Sequence, residues 1–165
     1  MKNIILLFLM FSAVVLAEWK VGAFHTDDGE TATTFATFDN KTESVLAISV
    51  VVEDYGGYSF VSIVNEKIQE EDNLCLIIKD SSGDSINYSI FNGDVIDSGA
   101  IIMGGETKRG DKLAKMLYNG KSAKLYNNDT DELLASFDLN GIKQIIQKNV
   151  GSSYWYRRIL NSIYD

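Results

Sequence analysis

The sequence predicts a mainly β protein, an antiparallel β-sandwich or open barrel with two or three short helices towards the C-terminus. Three observations predict it. Apolar and polar residues alternate in short runs from Trp19 onward, turn-forming Gly, Asn and Asp separate those runs, and helical periodicity appears only late in the chain.

The clearest stretch is residues 121–147. Ala123 and Leu125 alternate with Ser122, Lys124 and Tyr126; after Asn127, Asn128, Asp129 and Thr130, a second alternation sets Leu133, Ala135, Phe137 and Leu139 against Glu132, Ser136 and Asp138. Two strands around an Asn/Asp-rich loop make a β-hairpin with one apolar face. At Asn140 the period changes: Ile142, Ile145 and Ile146 fall on one side of a helix that Asn140 can cap and whose C-terminal end Lys148 suits.

From the beginning of the chain, Lys2 precedes an apolar run over residues 4–16 that ends in Val15-Leu16-Ala17. One charge, an apolar centre and a small residue before the cut describe a secretory signal peptide over residues 1–17. A membrane anchor is the alternative, but the run is shorter than the roughly 20 residues a span requires. Removal leaves 148 residues, 18–165, enough for one domain, with 14 Lys and Arg against 23 acids once Lys2 is gone, a charge of −9. Such a chain repels nucleic acid and anionic membranes and can be steered to a cationic partner. The location expected is periplasmic or secreted, with no stable membrane anchor after cleavage. Cys75, the one cysteine, lies in the apolar run Leu74-Cys75-Leu76-Ile77-Ile78, so the core forms without a disulfide and the thiol is inert.

Each element follows from its own pattern. Residues 19–24 alternate as a first strand, and residues 25–30 turn around Gly29. Residues 31–38 form a strand whose largest apolar groups are Phe35 and Phe38. Residues 44–53 are apolar at nearly every position, as in a central strand covered on both faces, and Tyr55-Gly56-Gly57-Tyr58 returns the chain as its hairpin partner. Residues 65–73 form a charged connector without an apolar stripe. Residues 74–79, 85–91 and 95–103 make a three-strand meander, the turns supplied by Ser81-Ser82-Gly83-Asp84 and Asn92-Gly93-Asp94. Residues 111–118 read as a helix capped by Asp111 that buries Leu113, Met116 and Leu117, or alternatively as a strand pairing across Asn119-Gly120. The sandwich is expected over residues 18–150. Residues 151–165 are expected to form a C-terminal amphipathic helix with Trp155, Ile159, Leu160 and Ile163 on one face; it docks on the sheet or on a partner.

Constellations for chemistry are sparse. His25 is the only histidine, and with Asp27 or Asp28 it would be the whole of an acid/base site. Residues 127–132 cluster oxygen ligands but lack the glycine and distal glutamate of an EF-hand calcium loop. Arg109-Gly110-Asp111 spells the tripeptide that integrins recognise. No cofactor is implied.

The stretch from Leu133 to Ile146, LLASFDLNGIKQII, resembles the C-terminal end of two groups of exported bacterial proteins: the invasion-associated locus B proteins and the periplasmic accessory proteins encoded with type VI secretion systems. The preceding KLAKMLYNGKSAKL and the early Trp19 are similar too. The resemblance implies a β-sandwich without a catalytic site; the chain departs from those groups in having no cysteine pair and in its tail after Gly151. Three functions remain open: a non-catalytic module that binds another protein through an acidic surface, through the loop of Tyr55 and Tyr58, or through Trp155, Arg157 and Arg158; an inhibitor plugging the basic cleft of an enzyme such as lysozyme; and a small enzyme using His25.

Overall fold

A computed structural model of the chain describes residues 18–25, 29–97, 99–104 and 108–162. The expected signal peptide, Asp27, Asp28 and Ile163 lie outside the described residues. Among the described residues ten strands form two antiparallel sheets, neither closed into a barrel, and three short helices follow in the C-terminal part, as expected for a β-sandwich.

The six-stranded sheet has the order β1-β2-β3-β4-β8-β7, formed by β1 (Lys20–His25), β2 (Thr31–Asp39), β3 (Ser44–Val51), β4 (Tyr58–Val64), β7 (Val95–Asp97) and β8 (Ala100–Gly104). The four-stranded sheet has the order β10-β9-β5-β6, from β5 (Leu74–Asp80), β6 (Ser85–Ile90), β9 (Gly120–Asn127) and β10 (Glu132–Asp138). Helix α1 (Arg109–Asn119) lies against β4 and β8, α2 (Ile142–Val150) beside α1, and a π-helix (Tyr156–Leu160) ends the described chain.

The core fills the space between the sheets. Phe35, Leu46, Ile48, Val61, Ile63 and Ile101 point in from one sheet, and Leu74, Leu76, Ile78, Leu125 and Phe137 from the other, all 2% exposed or less. Each such side chain stabilises the fold by roughly 1.5–3 kcal/mol through removal from water. Leu113 and Leu117 of α1, Ile142 and Ile146 of α2, and Trp155 close one end.

Polar side chains fasten the layers. In β10 the register slips between Leu133 and Ala135, a bulge that leaves Leu134 extra. Leu134 and Ala135 are therefore both buried and Leu133 faces water at 42% exposure, correcting the strict alternation that had put Leu133 inside. The bulge turns backbone groups towards the other sheet. Ser136 N–H donates to Asp39 Oδ2 at 2.8 Å, and Leu134 C=O accepts from Asn65 Nδ2 at 2.9 Å. Burial raises the Asp39 pKa, but the hydrogen bonds from Ser136, Thr42 and Lys41 outweigh it and hold the carboxyl below its ordinary value.

Four other expectations are corrected. The meander is split: β5 and β6 pair in the four-stranded sheet, whereas the chain then crosses to the six-stranded one. Residues 95–103 are two strands, β7 and β8, folded back on each other where Gly99 donates to Ile68 O and accepts from Asn65 N–H. The charged connector carries one core residue, Ile68, which is 0% exposed. Asp111 is no cap: α1 begins at Arg109 after Lys108, with Asp111 in its first turn.

Candidate functional site

The predicted binding residues meet at one end of the sandwich, but mostly as packing. Tyr55 stands 90% exposed at the tip of the β3–β4 loop, while Tyr58 is half-buried and its OH donates to Glu30 Oε2 at 2.7 Å. Trp155 is 0% exposed, which removes it as a contact residue. Its Nε1–H donates to Asp111 Oδ1 at 2.8 Å, an oxygen that also accepts from Ser59 N–H at 3.0 Å and Ser59 Oγ at 2.9 Å. A buried carboxylate is tolerated there because three donors and the Arg158 guanidinium, 3.8 Å from Asp111 Oδ2, replace its water. Arg158 also donates to Gly57 O at 3.3 Å, and Arg157 is exposed. Gly110 lets α1 sit on β4, since a Cβ there would collide with Ser59 O.

The other sequence candidates are likewise occupied. Arg109 grips Asp94 with two hydrogen bonds of 2.7 and 2.8 Å and lies over the Tyr88 and Phe91 rings, while Asp111 is buried, so the Arg-Gly-Asp tripeptide is not displayed. In the loop after β9, Asn127 Oδ1 accepts from Asp129 N–H and Thr130 N–H, and the Asp129 carboxylate accepts from Asn73. Those oxygens shape the loop and tie it to the connector. His25 ends the edge strand β1, exposed, its Nδ1 3.0 Å from Thr31 Oγ1.

What sequence reasoning missed is the contrast between the outward sheet faces. In the four-stranded sheet, the cross-strand row Ser85, Lys79, Ser122, Asp138 lies beside the row Asn87, Ile77, Lys124, Ser136. Shallow depressions of about 450 and 210 Å³ share Lys79 and Ser122. Their linings mix the ammonium groups of Lys79, Lys121 and Lys124 with serine hydroxyls and the carboxylates of Asp80 and Asp138.

The outward face of the six-stranded sheet is of another kind. Registered rows run Phe38, Val45, Val64, Ala100; then Ala36, Ala47, Ser62, Ile102; then Thr34, Ser49, Phe60, Gly104. With Ala32, Val51 and Tyr58 these make fifteen outward positions on β2, β3, β4 and β8, none of them charged. Charged residues are 23% of the chain, so fifteen positions filled at that rate would hold about three. Phe38 and Ile96 of β7 are 39% and 43% exposed, Ala32, Ala47, Ser49 and Val51 are buried, and the rest are half-buried. No described helix or strand lies over this face. The expectation that β3 is covered on both faces agrees with its burial: of its outward residues only Val45 is half-buried, while Ala47, Ser49 and Val51 are 8%, 2% and 2% exposed, shielded by the side chains around them. A signal was present: in residues 45–51 and 58–64 both strand parities lack charge.

Compared with known protein families, curated proteins and solved structures, the chain matches none. Among the described residues no helix is long and apolar enough to cross a membrane.

Proposed function

We propose that the protein is a non-catalytic exported module, an envelope or secretion-system accessory protein, that works by docking a protein on the outward face of its six-stranded sheet. One observation carries this reading: the absence of charge from fifteen outward positions in a chain of net charge −8. An exposed sheet face that meets only water alternates apolar-in with polar-out. A contiguous apolar surface of several hundred Å² is the usual mark of a docking site. The non-catalytic part of the reading is supported by the position of His25, exposed at a sheet edge with Thr31 as its neighbour.

The test is a photo-crosslinking amino acid placed at Ser62, in the middle of the apolar face, and separately at Asn87 on the opposite face. In the producing cell, covalent protein adducts are expected from Ser62 and not from Asn87. No adduct from Ser62, or the same adducts from both positions, would sink the proposal.

A further inference from the structure

We draw no further inference here: the strongest candidate, the open edge of the four-stranded sheet at β6, carries no charge from Ser85 to Ile90 and leaves Ile86 exposed, but nothing in the structure shows which strand covers it.

Discussion

Two faces of this sandwich look outward, and they solve the same problem in opposite ways. Across β5, β6, β9 and β10 the outward positions hold Lys79, Lys124, Ser122, Asn87 and Asp138, so water is an adequate neighbour. Across β2, β3, β4 and β8 the outward positions hold Ala, Val, Phe, Ser and Ile without a charge. Both sheets present apolar inward faces, although Ile86 on the edge strand β6 is still 48% exposed, so the need for a core does not explain the difference. What differs is whatever is to stand on the outer side. Strand propensity is satisfied in both, and only the polarity of alternate positions separates a solvated face from a docking face.

The comparison can be broken most severely from inside. Phe137 is 1% exposed in the layer that backs both faces. Phe137→Ala should cost about 3–5 kcal/mol of unfolding free energy in a urea titration and abolish both surfaces together. If the six-stranded sheet kept its structure after that change, the two faces would not share one cooperative core.

The next largest effect separates the layers without hollowing the core. Asp39→Ala leaves Ser136 N–H and Lys41 N–H without their acceptor and is expected to cost about 1–3 kcal/mol. The same tie has a pH signature. Because the folded-state pKa of Asp39 lies below its ordinary value of 3.8, its stabilisation is complete above that value and disappears as pH falls through the folded-state one. Asp39→Asn should flatten the acid limb of a melting-temperature profile below about pH 4. An unchanged limb would mean the tie does not matter.

At the other end of the pH scale, the Tyr118 and Tyr156 hydroxyls lie 2.9 Å apart, and burial, then the hydrogen bond to Tyr156, push the Tyr118 pKa up to about 12. A raised pKa in an acid group favours its neutral form in the folded state. That contribution is intact below the free-tyrosine value near 10 and fades as pH rises from there through the folded-state value. Melting temperatures of the wild type should therefore fall between about pH 10 and 12 more steeply than those of Tyr118→Phe.

The smallest expected effects sharpen the comparison at the surface. Lys124→Ala, on the solvated face, should alter stability by no more than about 0.5 kcal/mol and leave the sedimentation coefficient unchanged. On the same face Cys75 is largely buried, and burial lifts its thiol pKa against a weaker opposing hydrogen bond at Tyr88. Alkylation by iodoacetamide at neutral pH should be slow until urea opens the sheet.

The sequence was most legible where a pattern answers to near neighbours. The hairpin of β9 and β10 carries its own turn at residues 127–131, and α2 shows its stripe of Ile142, Ile145 and Ile146 within two turns. Illegible features depend on distant partners. The bulge at Leu134 exists to meet Asn65 and Asp39, which lie 69 residues before Leu134 and 97 before Ser136. Asp111 reads as a cap because Ser59 and Trp155, its actual donors, are 52 and 44 residues away. Ile68 looks like an isolated apolar residue in a charged connector until the sandwich closes over it. Trp155 invites assignment as a surface anchor for the same reason: an aromatic on an amphipathic stripe does not say which molecule covers it.

The burial of Trp155 has a bearing on when the molecule can fold. Its indole completes the interior and supplies one of the three donors that neutralise Asp111, so a nascent chain still lacking that residue has an open core and a carboxylate short of a partner. Final closure of this end must wait until that residue is available.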